Sequence, residues 1–247
     1  MRITILTLFP GMLEGFLRES IVGRAISSGL IDVRLVNIRD FAFDRHQVAD
    51  DYPFGGGAGM VMKPEPLVRA IESVTARPSP GAHVVLMTPR GRVFDQERAS
   101  DLARIEDMVL VCGHYEGVDE RVLSFVHEEL SIGDYVLTGG ELAAAVVVDA
   151  VARLVPGVLS PGSSQQESFQ DGILEGPQYT RPRDFRGMMV PDILVSGDHE
   201  RVRIWRRQEA LRKTLAQRPA LLSKARLSPE DTKLLAEIEK EPGPARL

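Results

Sequence analysis

The 247-residue sequence has a single cysteine, Cys112, which excludes an internal disulfide framework. No four Cys or His residues cluster at ligand spacing, so a structural zinc site is not expected. No apolar run approaches the ~20 residues of a membrane-spanning helix. The N-terminal MRITILTLFP is too short and too strand-like for the apolar region of a signal peptide. A cytoplasmic protein with no membrane partner is the expectation. Two nucleotide signatures are missing as well. No G-x-G-x-x-G follows the first apolar run, and no G-x-x-x-x-G-K-[ST] occurs anywhere, so neither a dinucleotide fingerprint nor a P-loop is expected. The nearest imitation, GGGAG at 55–59, runs into Met60, Val61 and Met62 before Lys63 and lacks a phosphate loop's spacing.

Hydrophobic residues at 43% and charged residues at 26% suit a soluble globular chain with a real core. The length allows one large domain or two unequal ones. The net charge of −5 is unevenly spread. Residues 1–180 hold 15 Lys and Arg against 25 Asp and Glu, whereas 181–218 hold 10 against 5, nine of those ten being arginine. A basic module on an acidic body is a footprint for nucleic acid that the whole-chain charge conceals.

Apolar runs at 2–9, 83–88 and 108–112 and the alternating stretch 32–38 read as strands, with 135–137 as the shortest candidate. Helical spacing covers 12–26, a short stretch after Pro66, a segment from about Asp95, 119–130 and 141–154. Strands alternating with helices predict an α/β fold around a mostly parallel sheet, with ligands beyond the carboxyl ends of its strands. Those ends read TPRGRVF, CGHYEGVDE and LTGGEL, and their glycines converge on one pocket. The loop SIGDYVLTGGEL holds no Lys or Arg but does hold Asp134 and Glu141. Such a site suits a flat adenine attached to a neutral or cationic remainder, since Glu116 and Asp134 would repel a pyrophosphate. S-adenosylmethionine fits that description. Residues 155–180 read as a linker or lid, and Asp198 as the N-cap of a helix to about Gln217, with Trp205, Leu211 and Leu215 towards one face.

FGGGAGMVMKPEP, TPRGRVFDQ, LVCGHYEGVDERV, SIGDYVLTGGEL, DAVARLVPGVL, GPQYTRP and LVSGDHERVRIWRRQEAL together resemble the bacterial tRNA (guanine-N1-)-methyltransferase family, in the family's order from residue 1 to about 220. The resemblance implies an α/β methyltransferase of the SPOUT class with a deep trefoil knot, plus a small C-terminal helical domain. It implies residues 1–160 as the cofactor domain, 161–180 as linker or lid, and 181–247 as a basic tRNA-binding domain. It further implies a homodimer with the active site at the subunit interface, S-adenosylmethionine as donor, and transfer to N1 of guanosine 37. Leu86, Pro89, Gly113, Tyr115, Glu116, Ile132, Gly133, Asp134, Tyr135, Val136, Leu137, Gly139 and Gly140 would surround the cofactor, and Asp198, Arg201, Arg203 and Arg206 would meet the RNA.

Methylating N1 requires in-line attack on a sulfonium methyl group and loss of the N1 proton, a step that a carboxylate base serves. By resemblance Arg153 supplies a cation that steadies charge on O6 or a phosphate, and the base is the acid before Ser168-Phe169. The family usually has aspartate there; this chain has Glu167, and Asp171 is the rival. Other readings stay open: a knotted methyltransferase acting on a ribose 2′-hydroxyl, or a catalytically idle tRNA-binding relative. Cys112 reads as a small core residue, His114 as a hydrogen-bonded structural histidine, and Trp205 as packing for the small domain. Asp44, Asp50 and Asp51 lack any recognised ligand spacing, so no metal ligand is assigned, although the family's action is associated with Mg2+.

Overall fold

Apolar runs of the first half become the strands of one sheet because each buries side chains on both faces. In the computed structural model, which describes residues 1–75, 81–160 and 167–241, the chain divides into two units, Met1–Ser160 and Pro161–Leu247. The strands of the first unit are β1 (Arg2–Thr7), β2 (Asp32–Asn37), β3 (Asp50–Asp51), β4 (Val61–Met62), β5 (His83–Val93), β6 (Asp107–Cys112) and β7 (Glu128–Ser131). Five of them form a parallel sheet in the order β2-β1-β6-β5-β7. Its helices are α1 (Gly11–Arg18), α2 (Ser20–Ser27), α3 (Pro64–Thr75), α4 (Gln96–Leu102) and α5 (Glu141–Ala152).

Strand alternation sorts the core into two layers. Ile3, Ile5, Val85, Met87, Met108, Leu110 and Cys112 pack with Leu13 and Val22 of α1 and α2, Leu102 of α4, and Val147 and Val151 of α5. Leu6, Val84, Leu86, Val109 and Val111 turn the other way, onto Leu67, Ala70 and Ile71 of α3. Each such burial contributes about 1.5–3 kcal/mol relative to exposure. Helices on both faces of a parallel sheet require continuous apolar strands, which explains why these runs do not alternate with polar residues.

Four local expectations need correction. The single helix over 12–26 is two, because Glu19 is extended and Ser20 is left-handed at φ 57°. The strand expected to stop at 88 runs to Val93 through an irregularity between Met87 and Arg92. Residues 119–130 are not a helix: a 3-10 turn at Glu120–Phe125 leads into β7, which pairs with β5. Residues 135–137 form no strand and are exposed in a loop. β7 escaped notice because two of its four residues are glutamates, and sheet propensity depends on cross-strand partners.

Those partners explain how a charged strand lies at a sheet edge. Glu128 accepts from Arg98 Nε at 3.1 Å and from Arg98 Nη2 at 2.5 Å, and shares a 2.9 Å hydrogen bond with His83. Asp95 caps α4 by accepting from the Arg98 amide, so β5, β7 and α4 meet at one residue.

The second unit is built on α6 (His199–Gln217) and α7 (Pro229–Ile238), preceded by a hairpin of β8 (Asp184–Phe185) and β9 (Met188–Met189). Ile173, Ala210, Leu211, Leu234 and Ile238 form its core. The expected linker, 161–180, belongs to this unit; its residues 161–166 lie outside the described residues. Among the described residues no helix is long and apolar enough to cross a membrane.

Burial alone would raise the Glu128 carboxyl, but its hydrogen bonds to His83 and Arg98 hold it down from 4.5 to about 2. A group depressed on folding stabilises the fold above its ordinary value and loses that contribution as pH falls from about 4.5 towards 2. Thermal melts of Glu128→Gln should show Tm lowered by about 5–10 °C at pH 7. The gap from wild type should narrow as pH falls through that window. A gap that is constant with pH would mean the carboxylate's charge is not what stabilises β7.

Candidate active site

At the carboxyl end of the sheet the chain forms a cleft of about 360 Å³ from the ends of β5 and β6 and the loop before α5. Local geometry brings these segments together. The Gly140 N–H donates to the Gly113 carbonyl at 2.8 Å, and Gly139 bridges His114. Both glycines are required by close approach. A Cβ on Gly140 would lie 2.8 Å from the Cys112 Cα, and one on Gly139 would collide with the Glu141 carboxylate and the His114 ring. On the other side, Met62 N–H donates to the Gly117 carbonyl at 2.9 Å and Glu116 N–H to the Met60 carbonyl at 3.0 Å. The 113–119 crossover is thus held between the two glycine-rich loops.

Leu86, Pro89, Gly113, Tyr115, Glu116, Ile132, Gly133, Tyr135, Val136, Leu137, Gly139 and Gly140 all line this cleft. Asp134 does not; it is exposed in the same loop. Sequence reasoning missed Thr88, Arg90, His114, Ser131 and Thr138, which also line it. The strand-end rule that found TPRG and CGHYEG contained the signal for the first three. Arg90 brings to the cleft a cation that the loop 131–142 itself lacks. Its guanidinium is shared between Glu120 at 3.2 Å and Glu129 at 3.4 Å, so it is not presented as a phosphate anchor.

Beneath the cleft, Glu141 is buried and accepts from the Thr7 hydroxyl at 2.7 Å. His114 differs from its expected role: its buried Nδ1 makes no hydrogen bond and stands 3.9 Å from the Glu141 carboxylate. Cys112 is a buried core residue whose thiol is pushed up by burial and then by the charge of Glu141. Arg153 is half-buried at the C-cap of α5.

In the second unit, Asp198 caps α6 by accepting from the Arg201 amide at 3.0 Å. Trp205 lies outside the core that Leu211 and Leu215 join, against Tyr179 at 6.4 Å between ring centroids. Six residues along a helix turn about 600°, which separates Trp205 from Leu211 and corrects their expected common face. Much of the basic charge is internally paired. Arg203 bonds Glu200 and Glu230, Arg207 bonds Asp171 and Asp231, and Arg212 bonds Glu209 and Glu241. Arg201 and Arg206 are exposed and, among the described residues, form no ion pair. Asp171 is held by Arg207 at 3.0 Å, and its carbonyl accepts from the Arg226 amide. Glu167 is half-buried at the start of a turn in which Ser168 Oγ accepts from the Glu175 amide. Among the described residues no three His, Cys, Asp or Glu side chains gather as a metal site.

The family model described as tRNA (Guanine-1)-methyltransferase TrmD matches residues 1–224. Relatives named tRNA (guanine-N(1)-)-methyltransferase match nearly end to end. That of Geobacter sulfurreducens is 57% identical over 246 residues, covering 99% of this chain and all of the relative. Those of Citrifermentans bemidjiense and Dictyoglomus turgidum are 59% and 56% identical, covering 97% and 98% of this chain and equal shares of their own lengths. With a five-stranded parallel sheet, helices on both faces and a cleft at its carboxyl end, the chain belongs to the tRNA (guanine-1)-methyltransferase family.

Proposed function

We propose that the cleft binds S-adenosylmethionine and that the protein, acting in the cytoplasm, methylates N1 of guanosine 37 in tRNA. One observation carries the cofactor reading: apolar walls from Leu86, Ile132, Val136 and Leu137 surround a site whose cation, Arg90, is already shared by two carboxylates. That lining accepts an adenine and a positive charge more readily than a polyphosphate. The donor, when bound, supplies an electrophilic methyl group on a sulfonium.

Glu167 removes the N1 proton as the nitrogen attacks, so the lone pair needed for the new bond is free. Arg153 stabilises the negative charge that this removal develops on O6. Asp171 carries the Arg207 guanidinium at 3.0 Å and remains the rival base. Arg201 and Arg206 are exposed to meet phosphates, whose contacts position an RNA without reading its sequence. Arg203 would first have to leave Glu200 and Glu230. The family's knot fits a chain that returns from edge strand β7, passes Gly113, and sends α5 against β1 and β6.

The surface of α5 supports the homodimer reading. Leu142 and Val146, four residues apart on one helix face, are 53% and 46% exposed, and Val136 beside the cleft is 82% exposed. Apolar side chains on one face next to a ligand cleft fit a buried homodimer interface that completes the active site. Sedimentation should therefore show a dimer. Val146→Glu should shift it towards monomer and reduce methylation by more than about tenfold. A monomeric wild type would end the interface reading.

Labelled S-adenosylmethionine should yield N1-methylguanosine on a tRNA transcript with guanosine at position 37 and nothing on one with adenosine there. Glu167→Gln should lower kcat by about 10²–10⁴-fold, and Asp171→Asn by far less. Full activity of Glu167→Gln would remove that residue as the base. A methylated ribose in the product would replace the N1 reading.

A further inference from the structure

Glu141 is 1% exposed, yet among the described residues no Lys or Arg bonds it. The contrast with Asp231 is direct: that carboxylate, 2% exposed, is bonded through both oxygens by Arg207. A buried carboxylate without a cation is costly unless hydrogen bonds and dipoles compensate it. Thr7 donates its hydroxyl hydrogen to Oε1, and the Phe9 amide occupies the Thr7 oxygen at 2.9 Å, which directs that hydrogen to the carboxylate. Glu141 is also the first residue of α5, where backbone amides favour negative charge. His114 stands 3.9 Å away and makes no hydrogen bond to it.

The carboxylate lies directly behind the cleft wall. Gly139 lines the cleft, and Oε2 of Glu141 occupies the space its Cβ would need. A buried charge reaches further than an exposed one because water and salt screen it less. Of the other carboxylates near the cleft, Glu116 and Asp134 are exposed, and Glu120 and Glu129 hold Arg90.

We propose that the Glu141 carboxylate sets the charge specificity of the cleft, favouring a cationic sulfonium ligand over the neutral thioether left after methyl transfer. The inference rests on the reading of the cleft as the S-adenosylmethionine site. Donor and product differ by one methyl group and one positive charge, so shape alone separates them poorly. A fixed negative charge behind the wall holds the donor and ceases to hold the product once the sulfonium is gone. Glu141 thereby acts as a positioning charge and does not itself touch the reacting atoms.

Calorimetric titration of the full-length protein with three ligands tests this. The ligands are S-adenosylmethionine, S-adenosylhomocysteine, and sinefungin, whose amine places a positive charge near the sulfonium position. Glu141→Gln keeps the side-chain shape and the acceptor for Thr7. It should weaken the two cationic ligands about five- to tenfold while S-adenosylhomocysteine changes less than about twofold. Equal weakening of all three, or no change in any, would overturn the proposal. Should the variant fail to fold, wild type still decides. Its preference for sinefungin over S-adenosylhomocysteine should persist in 0.5 M NaCl if the buried carboxylate sets it. A preference lost at that salt would assign it to exposed Glu116 and Asp134 and overturn the proposal. If wild type binds none of the three, the cofactor reading itself fails, and this inference with it.

Discussion

The hydrogen bond from the Gly140 amide to the Gly113 carbonyl sets the spacing on which the cleft depends. It draws the end of β6, the glycine-rich loop and the first turn of α5 so close that no side chain fits between them. Everything functional in the first unit follows from that approach. The loop 132–140 is folded over the ends of β5 and β6 to form the wall, and Glu141 is carried beneath it to the Thr7 hydroxyl. A glycine pair that resembles a phosphate loop is used here for packing.

Much of this was legible in the chain. The β1 and β6 runs are buried along their length, which is the pattern of strands covered on both faces, and three strand ends rich in glycine located the cleft. What escaped were elements whose stability comes from distant partners. Glu128 and Glu129 look unlike a strand until Arg98 and His83 are placed beside them. Tyr135–Leu137 looks like a strand, yet loop geometry leaves it exposed. The break at Ser20 depends on a single left-handed residue that no periodicity reveals. Glu141 was noted only as a carboxylate near a loop; its burial is a tertiary fact.

The basic segment shows why charge counting overstates an RNA surface. Five carboxylates within 181–218 do not suffice to pair its ten cations, but α7 and the turn at Asp171 supply more. Arg203, Arg207 and Arg212 clamp α6 to these neighbours. The exposed pairs of Arg203 and Arg212 contribute little to stability individually, but all three arginines have guanidinium faces occupied that would otherwise be free. Among the described residues Arg181, Arg186, Arg201, Arg206, Lys213 and Arg218 are exposed and form no ion pair, a sparser pattern than ten cations suggest.

The pairing of β1 with β6 joins residues about a hundred positions apart: Ile3 stands opposite Met108, and Thr7 reaches further still, to Glu141. Non-local pairings of this kind form late and slowly, because long loops must close before any contact offsets the lost chain entropy. The cleft is closed only when the ends of β5 and β6, the glycine-rich loop and α5 have come together. Any molecule that fills it binds only the completed unit, so occupancy raises the free energy of unfolding of the whole sheet. Ligand supply and protein lifetime are thereby linked through topology alone.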